Sequence, residues 1–357
     1  MADIHKEISQ VIVCRHCGAK NRIYPEKALN SLDSTICGSC KKNIFFGEFD
    51  YYREMNPEAY VHPLDKQALN ALKKVPGTGS VLKFILKELP ERYFRMFLYQ
   101  NYIRVHEKHF KEAYELLNYS TKMFDLKDEP EMFIYQDPKP NAFTYGVDKP
   151  YIGISTGLID LLDEKELLGV IGHEVGHIHC NHVLYRTAAW LLMILIGKLA
   201  NYMFGVGSLV LQPIYYAMMY WIRCSELSAD RAELLTIRNF DKSLKINMKL
   251  AGGSQKYMSQ LDAEEYLKQA RETEQMQEDN FLNKVFSTLQ TANQTHPFPI
   301  WRAGHLEKWA YEGEFLAILS GQYAKTSDDD KSGFKEEEFE KDKDNSIIDT
   351  LKKLFNI

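Results

Sequence analysis

Net charge, a leader-like start and cysteine are all in short supply in this sequence. Its 44 Lys and Arg nearly balance 49 Asp and Glu, a formal charge of −5 over 357 residues. Electrostatics therefore give no reason to expect nucleic acid as the main partner. The opening stretch, MADIHKEISQ, has no basic region running into an apolar one, so no secretion signal is read and the cytoplasm, or the cytoplasmic face of a membrane, is the expected compartment. Cysteines number six, two close pairs plus Cys180 and Cys224. In a chain without a signal, close pairs suggest metal ligands rather than disulfides. The remaining composition, 45% hydrophobic and 26% charged, is that of an ordinary globular protein with one large or two modest domains.

The two cysteine pairs, Cys14/Cys17 and Cys37/Cys40, form CxxC…CxxC with a 19-residue gap, a spacing suited to a four-thiolate zinc site. One zinc can replace the core that so short a segment lacks. Such a closed site is structural and does no chemistry of its own. CGAKNRI and its surroundings resemble the small zinc ribbon that precedes the thioredoxin domain in some bacterial thioredoxins, although no thioredoxin domain follows. The basic residues Arg15, Lys20, Arg22, Lys27, Lys41 and Lys42 are scattered along the ribbon with few aromatics, which favours an adaptor or substrate-presenting role over nucleic-acid binding.

Residues 90–124 carry apolar and aromatic side chains at helical spacing, with His106 and His109 among them but no acidic partner for a metal. Three β-like runs follow in residues 131–156, EMFIYQ, NAFTYGV and YIGIST, broken by Pro138, Pro140 and Pro150. A helix capped by Asp163 then carries HEVGH. The stretch from Lys325 to Asn345 is too charged to bury and is expected to lack fixed structure. Its DDDKSGFKEEEF resembles a calcium loop, but Phe339 stands where the bidentate glutamate belongs. The final SIIDTLKKLFNI is amphipathic, suited to docking on the protein's own body or on a membrane or partner.

On a helix, positions i and i+4 differ by about 40° in direction, so His173 and His177 face one point while Glu174 is turned about 100° away. That is the logic of HExxH: two imidazoles hold zinc, and the glutamate handles the proton of its water. His179 and His182 fall on other faces of a continuing helix and are read as surface or supporting residues. The longer HExxHxxGxxH fails, because Cys180 and Val183 stand where glycine and histidine are required. Downstream, CSELSADRAELL offers Glu226 as a third ligand, and Asp230, one turn on, as acceptor for the second N–H of a ligand histidine.

HEVGH followed by SELSADRA, with NAFTYGVDKPYIGISTGLI before them and THPFPIWRAGHL after, resembles the M48 peptidases, HtpX-like gluzincins. The likeness covers roughly residues 90–315. It implies an α+β, mainly α-helical fold with a small sheet beside the HExxH helix. It also implies that Asn141, Ala142 and Phe143 lie on an edge strand that adds an extended polypeptide as a further strand. His296 is implied as a donor to the oxyanion or as an occupant of the open zinc position, and Arg302 as a buried ion-pair partner. A role in protein quality control rests on the likeness alone.

Residues 187–222 are apolar with one charge, Lys198, and long enough to be a transmembrane candidate. Yet His177 and Glu226 must meet at one metal, so the chain must return to the side it left. Two crossings need about 40 residues plus a turn. A buried or membrane-grazing hairpin of two shorter helices, broken near Gly205, Gly207 and Pro213, is expected instead. The organisation read is a ribbon over 1–46, a linker and helical lead-in over 47–89 and a peptidase domain over 90–323. A charged linker over 324–345 and an amphipathic helix over 346–357 complete it. The functional expectation is a zinc endopeptidase of polypeptide substrates with one catalytic and one structural zinc. Membrane contact would run through 187–222 or 346–357. The competing expectation is a non-proteolytic binding protein on the same scaffold.

Overall fold

The structure, a computed structural model, describes residues 9–47, 51–88, 91–146, 149–202, 206–253, 255–278 and 298–326. At its centre two helices run side by side. Helix α7 (Glu164–His179) starts at a closed capping box: the Asp163 side chain accepts from the Glu166 amide, and the Glu166 carboxylate accepts from the Asp163 amide. Helix α9 (Val206–Ile237) lies antiparallel along it, with Gly172 against Thr236 and Gly176 against Ala232. A Cβ on Gly172 would overlap the Thr236 side chain, and one on Gly176 would overlap the Ala232 Cβ. The missing methyls are what let the two backbones approach this closely. Gly176→Ala is accordingly expected to cost about 1–3 kcal/mol through overpacking, read as a lower urea midpoint with an unchanged slope. A neutral substitution would show that α7 can shift without cost.

The three β-like runs form strands: β4 (Glu131–Tyr135), β5 (Ala142–Tyr145) and β6 (Tyr151–Ser155). With β3 (Ile103–Arg104) they make a sheet in the order β3-β4-β6-β5, in which β4 and β6 are parallel and the other pairs antiparallel. Among the described residues β5 pairs only with β6, so it is an edge. Its period-2 alternation buries Ala142 and Thr144 and leaves Phe143 and Tyr145 half-buried. Asn141 sits one residue before the strand and donates its amide to Ser155 Oγ.

Residues 90–124 are not one helical run. Helix α4 (Glu91–Asn101) ends before β3, and His106 and His109 pair their backbones across a tight turn ahead of α5 (Lys111–Met123). The aromatic spacing serves two helices and the strand between them: Leu98 of α4 and the ring of Tyr102 pack against Phe133 of β4 rather than continuing a stripe.

The apolar stretch folds back as expected, as α8 (His182–Tyr202) and α9, but the helices are long and Gly207 and Pro213 lie inside α9 rather than at the turn. Gly205 lies outside the described residues. The buried side chains of the stretch, Leu191, Leu192, Ile214, Met218 and Trp221, pack with Leu72 of α2 (Pro63–Lys73) and with Leu82 and Ile85 of α3 (Thr78–Glu88). Among its described side chains the stretch is thus partly buried against the protein's own lead-in, while Met193, Ile194, Tyr216 and Tyr220 stay exposed. Among the described residues no helix is long and apolar enough to cross a membrane.

The ribbon, with β1 (Gln10–Val13), β2 (Lys20–Ile23) and α1 (Pro25–Leu29), is not a detached bead. Ile12, Leu32 and Phe45 belong to one continuous core with Val170, Val175, Leu234 and Phe240. That core also takes in Trp309 of α12 (Pro299–Glu312) and Phe315 of α13 (Glu314–Leu319). The lead-in is equally committed, since the Tyr52 hydroxyl donates to the Leu235 carbonyl of α9. Residues 324–326 are not loose either: the Asn56 amide donates to the Ala324 carbonyl and the Thr326 amide to the Glu54 carbonyl. Residues 327–357, with the calcium-like loop and the C-terminal amphipathic segment, lie outside the described residues. The polar stretch after α9, residues 263–278, forms α11 (Ala263–Glu278), which buries Leu267 and Ala270 and exposes most of the rest.

Candidate metal centre

The close packing of α7 on α9 brings His173 and His177 to Glu226. His173 Nε2 lies 3.4 Å from Glu226 Oε2 and His177 Nε2 3.3 Å from Glu226 Oε1. One donor atom from each of the three lies within 4.8 Å of the others, and all three residues are buried. Two imidazoles and a carboxylate are a donor set of the kind that holds catalytic zinc with a position left open. The outer nitrogens fit that use. His173 Nδ1 is 3.2 Å from Asp230 Oδ1, and His177 Nδ1 is 2.9 Å from His182 Nδ1. Each ring is thereby turned with Nε2 toward the shared point.

Asp230 is locked in turn. Arg302 of α12 donates Nε to Asp230 Oδ2 at 2.7 Å and pairs Nη2 with Oδ1. Arg302 Nη1 also lies 3.4 Å from Glu226 Oε2. On the other side Arg186 of α8 donates Nη1 to Glu226 Oε1 at 2.6 Å, with the same nitrogen 3.2 Å from His177 Nε2. That last approach and a cation on the same lone pair are mutually exclusive.

These neighbours set opposite proton affinities on the two rings. Burial opposes charge on His173, but its hydrogen bonds and charge pairing with Asp230 and Glu226 outweigh this and push it up to about 10. Burial, reinforced by the Arg186 charge, holds His177 well below the usual histidine range. Glu233, one turn beyond Asp230, is raised to about 7 by burial and by the Asp230 charge.

Glu174 faces the sheet. Its Oε2 accepts from Thr144 Oγ1 of β5 at 2.5 Å, which ties the motif helix to the edge strand. The four ribbon cysteines also converge, with Cys14 Sγ 3.7 Å from Cys40 Sγ and Cys17 Sγ 3.7 Å from Cys37 Sγ. Backbone amides of Cys40 and Ser39, helped by the Asn21 side chain, pull the Cys37 thiol down to about 6, toward the thiolate a metal requires.

A family model described as peptidase family M48 matches residues 107–310, more than half of the chain. The chain belongs to peptidase family M48. It is 28% identical over 270 residues to the plastoglobule-localized metallopeptidase 48 of Arabidopsis thaliana, covering 75% of this chain and 77% of that one. A protease HtpX homologue of Sulfurisphaera tokodaii is 38% identical over 97 residues, 27% of this chain and 31% of its own. One of Levilactobacillus brevis is 40% identical over 75 residues, 20% and 25% respectively. The chain thus spans most of the plant relative but less than a third of these HtpX homologues. No solved structure gives a significant match. As an M48 member with these relatives, the chain is a zinc-dependent metallopeptidase.

Spacing singles out His173, Glu174, His177, Glu226 and Asp230 in the sequence, the likeness to M48 peptidases adds Arg302, and all six are buried in the structure. His296 lies outside the described residues. His179 is turned away, its ring stacked on Tyr60, with Nδ1 2.7 Å from the Tyr60 hydroxyl and Nε2 3.0 Å from the Met55 carbonyl. No feature of the sequence points to Arg186, Thr144 or Asp65. They come from three other elements and carry no local spacing signal. For His182 the signal is its neighbour: Asn181 adopts φ 57°, a left-handed conformation asparagine tolerates. It lies between the end of α7 and the start of α8 and bends the chain so that His182 meets His177.

Proposed function

We propose that His173, His177 and Glu226 hold a catalytic zinc and that the chain is an endopeptidase acting on extended polypeptide. The observation that carries this reading is the convergence of those three donor atoms beside Glu174. Zinc supplies a water acidified toward a pKa of about 7 and polarises the scissile carbonyl. Glu174 takes a proton at its carboxylate and passes it to the leaving amine, with Thr144 fixing the direction of that carboxylate. Asp230 keeps the His173 proton on Nδ1, and Arg302 neutralises Asp230. The β5 edge that is unpaired among the described residues, with Asn141 leading into Ala142 and Phe143, offers the substrate a strand to pair with. His296 is the candidate donor to the oxyanion on sequence grounds. The Cys14, Cys17, Cys37 and Cys40 cluster holds a second, structural zinc.

The relatives are named as a metallopeptidase and as proteases, and nothing in the comparisons supports the non-proteolytic alternative. The test is incubation of an unfolded protein with the zinc-loaded chain beside His173→Ala, with products mapped by mass spectrometry and zinc counted by elemental analysis. The wild type is expected to make internal cuts. His173→Ala is expected to lose one zinc and all cutting. Full zinc in that variant would count against the ligand set, and trimming from chain ends alone against endoproteolysis.

A further inference from the structure

Asp65 belongs to α2, outside the residues matched by the family model, and it is 2% exposed. Its Oδ1 accepts from Trp221 Nε1 at 2.8 Å. Its Oδ2 accepts from Ser228 Oγ at 2.6 Å and lies 3.0 Å from His182 Nε2. His182, also buried, places Nδ1 2.9 Å from His177 Nδ1. A buried row therefore runs from the Asp65 carboxylate through His182 to the outer nitrogen of His177.

We propose that Asp65 is a positioning residue for the metal centre, setting through His182 which nitrogen of His177 carries the proton. This rests on the reading of His177 as a zinc ligand. Between two facing Nδ1 atoms only one can hold the hydrogen. A carboxylate is an acceptor only, so the His182 proton belongs on Nε2, pointing at Asp65. His182 Nδ1 then presents a lone pair, and His177 must donate from its own Nδ1. That leaves the lone pair of His177 on Nε2, the nitrogen facing Glu226. The Asp65 carboxylate thus dictates the His182 tautomer and, through it, sets His177 in the same sense as the Arg186 donor on its other nitrogen. Without that carboxylate, the Arg186 guanidinium, 3.2 Å from His177 Nε2, would be the only neighbour among the described residues that holds the lone pair on that nitrogen.

Asp65→Asn is a sharper probe than deletion. Trp221 Nε1 can only donate, so the amide oxygen must face it and the amide nitrogen must face His182. The asparagine N–H would then donate to His182 Nε2, move the His182 proton to Nδ1 and invert the row. In the full chain with its ribbon metal in place, Asp65→Asn is expected to weaken zinc at the peptidase site by about 10–100-fold, read by competition with a chelator. The d–d spectrum of Co2+ at this site, separable from the thiolate bands of the ribbon, should change as well. Trp221→Phe, which removes the donor to Asp65 Oδ1 but keeps a ring against His182, should lower the melting temperature and leave zinc affinity within about twofold, as a merely structural link would.

His182→Asn should also weaken zinc, and adding Asp65→Asn to it should cost nothing further, because the row is already cut. Additive losses, or an Asp65→Asn affinity equal to wild type while His173→Ala loses the metal, would overturn the proposal and leave the zinc-site reading standing. Should Asp65→Asn fail to fold, an unchanged affinity in His182→Asn overturns it equally. If His173→Ala retains all zinc, the ligand reading falls and the proposal with it.

Discussion

Glu174→Gln is expected to lower kcat/KM by about 10²–10⁴-fold while zinc content and melting temperature stay near wild type. The substitution keeps the size and shape of a side chain that is 1% exposed. The amide oxygen can still accept from Thr144 Oγ1, so the tie between α7 and the edge strand survives. What disappears is the basic carboxylate that can take up and deliver a proton. None of the three proposed metal donors is altered, so that set remains intact. Peptide cleavage kinetics beside elemental analysis would check it. Activity within tenfold of wild type would place the base elsewhere. Loss of zinc together with activity would mean that Glu174 holds the site together rather than moving a proton.

Arg302→Ala is expected to destabilise the fold by about 3–5 kcal/mol, the usual consequence of removing one partner of a buried ion pair. Asp230 is 1% exposed, and Arg302 reaches it with two nitrogens. Without the guanidinium, a carboxylate would remain buried one helical turn from Glu226 with His173 Nδ1, 3.2 Å away, as its main partner. The double variant Arg302→Met/Asp230→Asn should recover much of the lost stability, because it removes both charges and refills the space. It should not recover full activity, since a neutral amide is a weaker acceptor for the His173 Nδ1 proton. Urea unfolding of the three proteins decides it. A loss below about 1 kcal/mol for Arg302→Ala would mean that His173 alone compensates Asp230.

Of the two residues these expectations concern, Glu174 is marked by spacing and Arg302 only by the likeness to a family. His173, Glu174 and His177 are set by a spacing within one helix, where 3.6 residues per turn alone fixes their directions. The cysteine pairs are equally local. Glu226 and Asp230 share one turn of a second helix, and only the requirement for a third ligand and the likeness to a family link them to the first. The edge strand is legible from alternation and prolines. The break in 90–124 is not, because one apolar spacing runs through two helices that pack on different cores, α4 on the aromatic cluster around Phe133 and α5 on the main core.

By itself the sequence determined the chemistry: a two-histidine, one-glutamate donor set with an adjacent base, a separate four-thiolate site, and a mainly helical scaffold to hold them. Tertiary structure alone decided what surrounds that chemistry. Arg186 against Glu226, Thr144 against Glu174 and Asp65 against His182 join residues 30 to 117 positions apart. They depend on a left-handed turn at Asn181, on the bare backbone of Gly172 and Gly176, and on where α2 docks on α9. The difference has one cause: directions within an element follow from its period, whereas partners between elements follow from how buried surfaces fit, which no local spacing encodes.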